Sequence, residues 1–166
     1  MIHNIHFAQY VPPTSFHTLA VTNITLAAGA VAGTICQHKA AAAETLTISI
    51  PIEMPSNSIA LNGAKLASIE IDYQVLIAAL TSLTPVVNLV TRGIESAVAT
   101  VAAQTFTQSP TLANSLTVDK HKLVLTITTP FWMLNTQYVI CQLTAVCPGT
   151  TTLDLLAAVA NFTFRA

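Results

Sequence analysis

Two acids, Glu70 and Asp72, stand two residues apart in the run KLASIEIDYQVLIAAL, Lys65 to Leu80. On a β-strand they would share one face, roughly 6.5–7 Å apart along the chain. That spacing overlaps the paired carboxylates of glycoside hydrolases. It arises equally where a strand turns a polar face to solvent or to a neighbouring subunit, and two such acids also suit ion coordination. No aromatic platform lies beside them in the sequence, so a solvated or subunit-facing strand is the simpler reading.

The remaining chemistry is sparse. The five histidines are His3, His6, His17, His38 and His121. They form no HExxH motif and no Cys/His cluster, and His3, His6 and His17 would meet a metal only if the N-terminus folded back. There is no GxSxG elbow, Walker loop or GxGxxG loop. Cys36, Cys141 and Cys147 are odd in number and lack redox spacing, so buried free thiols are expected, although a turn would let Cys141 and Cys147 bridge. The N-x-T triplets at Asn23 and Asn161 fall in expected strands and read as chance matches. Asp119-Lys120-His121-Lys122 reads as a charged loop entering a strand, making an ion pair or a contact between subunits. No catalytic residue, cofactor site or metal site is expected, and the chain does not read as an enzyme. In TTPFWMLNTQY, Phe131 and Trp132 follow Pro130. They would cap the open end of a sandwich, plug a neighbouring subunit, or form a platform for a small ligand.

The elements that carry these residues are strands. Leu46, Ile48, Ile50 and Ile52 alternate with Thr45, Thr47, Ser49 and Pro51. Ile69, Ile71, Tyr73 and Val75 alternate with Ser68, Glu70, Asp72 and Gln74, and Leu123, Leu125 and Ile127 with Lys122, Val124, Thr126 and Thr128. Period two turns one side inward, and the abundance of Thr, Val and Ile agrees with it. Further strands are expected at 18–26, 86–90, 137–144 and 157–165. Turn signals separate them at Pro12-Pro13, Pro55 to Asn57, Asn62-Gly63, Arg92-Gly93, Ser109-Pro110 and Pro148-Gly149. Asn62-Gly63 would close a hairpin after a short strand at 58–61. Helix signal is thin: an alanine-rich stretch at 39–45, and a turn or two at 75–83 before Thr84-Pro85. Residues 104–114 read as a surface loop, and the Gly/Ala-rich segment 27–43 has no clear place. The pattern is an all-β, antiparallel sandwich or barrel, and a βαβ fold fits poorly.

Composition narrows the function. The 166 residues suit a single domain over 1–166, with 1–17 as an N-terminal arm. Apolar residues make up 52% and charged residues 8%, with a net charge of −1. An ordinary soluble domain carries roughly 25% charged residues. So little charge favours burial against copies of itself. The dispersed basic residues, without a basic tail or RNP-like pair, argue against nucleic acid. No signal peptide is indicated, and the uncharged window 73–91 holds too many polar groups for a membrane span. The GxxxG at Gly29 and Gly33 matters only inside such a span.

Three stretches together, LNGAKLASIEIDYQVLIAALTSLTPVVNLVTRG, VDKHKLVLTITTPFW and AAVANFTFRA, resemble structural proteins of viruses and phages. In that group a small β-sandwich, often a jelly roll, builds or decorates a capsid. The resemblance runs from Leu61 to the C-terminus and is one of style and order. It implies a virion protein that assembles with copies of itself, and with other capsid proteins, without an active site. On this reading Phe131, Trp132 and Tyr138 are packing anchors, while Glu70, Asp72, Arg92, Lys120 and Arg165 set polar contacts and register. The rival is a non-catalytic module binding a carbohydrate or similar ligand near Phe131 and Trp132. A third reading, a hydrolase or lyase, needs Glu70 and Asp72 together in a pocket with shifted pKa values.

Overall fold

The computed structural model describes residues 4–19, 22, 24–28, 36–53, 64–92, 99–134 and 136–165. Their strands are β1 (Asn4–Val11), β2 (His17–Thr18), β3 (Ile24–Ala28), β4 (Cys36–Ala40), β5 (Glu44–Ile52) and β6 (Ala64–Leu76), followed by β7 (Ser82–Thr91), β8 (Thr100–Gln104), β9 (Phe106–Ser109), β10 (Lys120–Ile127), β11 (Gln137–Cys147) and β12 (Thr152–Arg165). Two 3₁₀ turns, Pro13–Ser15 and Leu112–Ser115, complete the set, and the described residues contain no α-helix.

The strands form two antiparallel sheets. One runs β3-β4-β12-β6-β10-β9, with β1 also on β12; the other runs β2-β5-β11-β7-β8. Within them β4-β12-β6-β10 faces β5-β11-β7-β8, the strand order of a jelly roll. The expected all-β sandwich is therefore the fold. Strand β12 takes two partners end to end along one side: β4 beside Thr152–Leu155 and β1 beside Ala158–Arg165. Strand β6 lines its other side.

The inward alternation packs one core. Leu46, Ile48, Ile50 and Ile52 of β5 meet Val139, Cys141, Leu143 and Ala145 of β11, with Ile69, Ile71, Tyr73 and Val75 of β6 across the sandwich. Two β-bulges let the long strands keep facing inward. On β12 the buried apolar set is Leu153 and Leu155, then Ala158, Ala160 and Phe162, so its parity changes at the register shift between Leu155 and Ala157. Strand β6 changes parity likewise, from Ala64 and Leu66 to Ile69 and Ile71, where a second shift lies opposite Asn161 and Phe162. An extra residue in one strand is what allows the apolar set to switch parity without leaving the core.

Several expectations need correction. Residues 4–11 lie in the sheet as an edge strand instead of projecting as an arm. The single strand expected at 18–26 is two, β2 and β3, in different sheets. The first half of the loop expected at 104–114 is extended chain: β8 ends at Gln104, and β9 follows after Thr105 alone, carrying the chain from one sheet to the other, while 110–114 hold a bend and most of the second 3₁₀ turn. No helical turn forms at 75–83; β6 runs to Leu76 and the chain then bends at Ile77, which sits at φ 72°. A β-branched residue there is strained, and tertiary pairing of Leu80 N–H to the Leu116 carbonyl, at 2.9 Å, helps hold the corner. The hairpin at 62–63, the strand at 58–61 and Asn23 lie outside the described residues. Cys141 and Cys147 are buried free thiols, as expected. Both face inward on one continuous strand six positions apart, roughly 20 Å along it, beyond disulfide reach.

Candidate functional site

The eight residues singled out from sequence do not converge; seven fall into three groups and Arg165 stands apart. On the outer face of the larger sheet, β6 and β10 pair so that Lys122 lies opposite Asp72, Val124 opposite Glu70 and Lys120 opposite Gln74. Lys122 Nζ reaches diagonally to Glu70 Oε2 at 2.9 Å. Asn161 Nδ2 of β12 donates to Glu70 Oε1 at 2.9 Å and to Ser68 Oγ at 3.1 Å. The Lys122 hydrogen bond, and then that of Asn161, hold the Glu70 carboxyl below its ordinary 4.5, against a smaller opposing effect of burial. Glu70 is thus ionised at neutral pH and committed to two partners, which makes it a poor general acid. Asp72 is half-buried beside it, and Lys120 is exposed, its backbone N–H donating to Asp119 Oδ1 at 2.7 Å. The carboxylate pair belongs to a mixed-charge strand face. Among the described residues no three His, Cys, Asp or Glu side chains cluster as metal ligands would.

That ion pair sits largely in solvent, where such pairs contribute little. Glu70→Gln is expected to move the melting temperature by no more than about 3 °C in scanning calorimetry. Because the folded carboxyl titrates below 4.5, its contribution is present above that pH and fades on acidification through the lowered folded value.

The second group lies at one end of the sandwich. Phe131 is half-buried and packs on the core, as does the fully buried Met133, whose N–H bonds the Ala64 carbonyl at 3.0 Å. Trp132 bridges to Lys65 of β6 and remains 37% exposed. Lys65 Nζ lies 5.9 Å from the Trp132 ring centroid, within cation–π range. One aromatic is therefore turned to the core and the other carries an ammonium over its ring, so the two do not make a shared flat platform. The third group is at the end of the smaller sheet: Tyr138 is exposed opposite Val90, and the Arg92 N–H bonds the Thr136 carbonyl at 2.8 Å. Arg165 ends β12, paired with Asn4.

The feature with the greatest extent is the outer face of the smaller sheet. Strands β2, β7, β8 and β11 contain no Asp, Glu, Lys or Arg, and β5 contains only its first residue, Glu44. The larger sheet carries Lys39, Lys65, Glu70, Asp72, Lys120, Lys122, Asp154 and Arg165. Across the uncharged face the register builds rows in which polar residues mix with apolar ones: Thr47–Thr144–Thr84, Ser49–Gln142–Val86, and Pro51–Ile140–Asn88–Ala103. Side chains tie these rows together. Asn88 Nδ2 donates to Gln142 Oε1 at 3.3 Å, Gln142 Nε2 donates to Ser49 Oγ at 3.4 Å, and the Thr47 and Thr144 hydroxyls are 3.4 Å apart. Cross-strand pairs of this kind stabilise a sheet, and here they also occupy donors and acceptors that would otherwise need water. The alternating Thr and Ser of β5 were visible in the sequence. The strand partners that extend the face across four strands were not.

No protein-family model matches the chain, and no curated protein matches it. Among solved structures it is similar to the N-terminal CBM22-1–GH10 modules of Clostridium thermocellum endo-1,4-β-D-xylanase 10B complexed with xylohexaose, with TM-score 0.46 and 8% identity, over 94% of this chain and 28% of that one. It is also similar to the family 11 carbohydrate-binding module of Clostridium thermocellum in complex with a β-1,3-1,4-mixed-linked tetrasaccharide, with TM-score 0.37 and 6% identity, over 95% of this chain and 87% of that one. Similarity at these scores assigns the chain neither a family nor a ligand.

Proposed function

We propose that the chain is a non-catalytic structural subunit, a capsid or capsid-decoration protein of a virion, that works by associating with copies of itself and with other coat proteins. The observation that carries this reading is the uncharged, hydrogen-bonded outer face of the β5-β11-β7-β8 sheet. Desolvating charge is the main cost of burying a surface, and this face has almost none to desolvate. Two copies meeting there bring no like charges together, and repetition of one matched contact yields a closed or extended assembly. Phe131, Trp132, Tyr138 and Arg92 at the ends would set the borders of such contacts, while Glu70, Asp72, Lys120 and Arg165, on the larger sheet, would set register in contacts made by that sheet.

Light scattering over a concentration series tests it. The wild type is expected to form discrete oligomers, and Thr144→Lys, at the centre of the face, to shift them toward monomer without loss of the β-sheet circular dichroism. A wild type that stays monomeric at high concentration would overturn the proposal.

One observation favours the rival reading, a carbohydrate-binding module, at a different place from the one expected. A cavity of about 140 Å³ lies at the corner between β1 and β5, lined by Gln9, Tyr10, Ser15 and Glu53 among others. Tyr10 is 59% exposed there, and the buried Gln9 Oε1 lacks a hydrogen-bond partner. An aromatic ring beside an amide and a carboxylate is suited to sugar hydroxyls. Calorimetric titration with xylohexaose and with a β-1,3-1,4-linked tetrasaccharide decides between the readings; saturable binding lost in Tyr10→Ala would favour the module.

A further inference from the structure

Strand β1 is the longest of the edge strands. It has 8 residues, against 2 in β2, 5 in β3, 5 in β8 and 4 in β9. All eight pair with β12, from Asn4 opposite Arg165 to Val11 opposite Ala158, and no described strand lies on the other side. Half of its backbone donors and acceptors therefore line an open edge. Natural sheets blunt such edges with lysine, proline or a bulge. Residues 4–11 contain no charge and no proline, and the β1–β12 register runs without a shift. Apolar side chains are exposed on both sides of the strand: Ile5 (52%) and Phe7 (43%) project toward the facing sheet, and Tyr10 (59%) projects outward. Phe7 already makes an edge-on contact with Phe164, at 5.7 Å between ring centroids.

From this we infer that β1 pairs antiparallel with β1 of a second copy across a two-fold axis, joining the two larger sheets into one continuous sheet. The inference rests on the self-association proposed above and adds a second, separate contact to it. The partner is a copy of this chain for a reason of charge. Across a two-fold axis each strand meets itself, so any formal charge near the axis would face its own kind, a destabilising arrangement. The chain has no Asp, Glu, Lys or Arg before Lys39, so this edge is free of that penalty. Symmetry also restricts the register. Face-to-face alternation must match, so a residue of one β1 lies opposite the same residue of the other, and pairing centred at Phe7 stacks the two Phe7 rings on one side. An eight-residue strand pair alone buries less than the roughly 1,200 Å² of a stable interface, so the edge contact is weak by itself. Combined with the uncharged face of the other sheet, it gives each subunit two kinds of contact, which is what a lattice requires.

The test uses wild type and Ile5→Lys/Ala8→Lys, which places charge on both sides of β1 at exposed positions. Sedimentation velocity over a concentration series is expected to show self-association weakened at least about tenfold in the variant. Hydrogen exchange of the wild type alone supplies an independent reading: β1 amides facing away from β12 are expected to gain protection as concentration rises. If the wild type associates while those amides exchange equally fast at every concentration, the edge pairing is wrong and the proposed function stands. If the wild type never associates, both fall. Should the variant fail to fold by near-ultraviolet circular dichroism, the exchange result decides.

Discussion

Raising the pH from 9 to 12 is expected to unfold the protein, because three buried acids must ionise to follow the solvent. Burial pushes the Cys141 thiol from its ordinary 9.0 up to about 12 and the Cys147 thiol up to about 11. It pushes the Tyr73 phenol from 10.0 up to about 12, against a smaller lowering effect of the Ser115 side chain. All three side chains are 1% exposed or less. In each case the folded pKa lies above the unfolded one, so the unfolded chain releases its proton first. The stabilisation is complete below pH 9 for the thiols and below pH 10 for the phenol, and it drains away up to the folded values. Each group contributes about 1.4 kcal/mol per pH unit within its window. Together they amount to roughly 9 kcal/mol by pH 12, comparable with the whole 5–15 kcal/mol stability of an ordinary domain. Urea unfolding followed by Trp132 fluorescence at pH 8, 9, 10 and 11 checks this. The midpoint should hold between pH 8 and 9 and then fall with increasing slope. Cys141→Ala/Cys147→Ala should flatten the fall between pH 9 and 10, where only the thiols act. A midpoint unchanged up to pH 11 would mean that these groups are not buried as described.

Phe162→Ala should cost about 3–5 kcal/mol, the usual loss for a fully buried aromatic ring. Phe162 is 1% exposed in β12, with Phe7 of β1 opposite on one side and Leu66 of β6 on the other. Its ring fills the core where three strands meet beside a bulge, and a backbone paired on both sides has little freedom to collapse into the cavity. The expected fall in melting temperature is roughly 10 °C or more. Thr163→Ala, one residue along the same strand on the outer face, should stay within about 0.5 kcal/mol of wild type. Calorimetry on the two variants therefore also tests the register of β12. Equal effects at 162 and 163 would mean that the bulge had been misplaced and the faces exchanged.

The alternation that marked β5, β6, β10 and β11 was legible because each buries one face continuously, so period two survives in the residues. Legibility failed wherever parity breaks. Ala64 to Ala67 was missed as the start of β6 because the bulge there interrupts the alternation, and the bulge before Ala157 hid Thr152 to Leu155, all four of them buried. Strand β8 was not expected at all, and β9 read as part of a loop, for a different reason. Thr100 to Ala103 are all exposed, so no apolar stripe is imposed on the sequence, and only backbone pairing to β7 defines the strand. Of the candidate site, Glu70 and Asp72 were readable as a solvated polar face. The ties from Glu70 to Lys122 and Asn161 span 52 and 91 residues, a separation no local pattern carries. The uncharged face was legible only as composition, since the strands that share it come from four separate parts of the chain.

The segregation of charge onto one sheet has a consequence for solution conditions. Contacts between fixed charges weaken as ionic strength rises, because the Debye length shrinks from about 10 Å at 0.1 M to about 3 Å at 1 M salt. Contacts made through the β5-β11-β7-β8 face have almost no fixed charge to screen, so sodium chloride should leave them nearly unchanged. Sulfate acts differently, since its exclusion from protein surfaces strengthens any burial that removes area from water. The assemblies proposed above should therefore ignore chloride, tighten in sulfate, and come apart in urea well before the single chain unfolds.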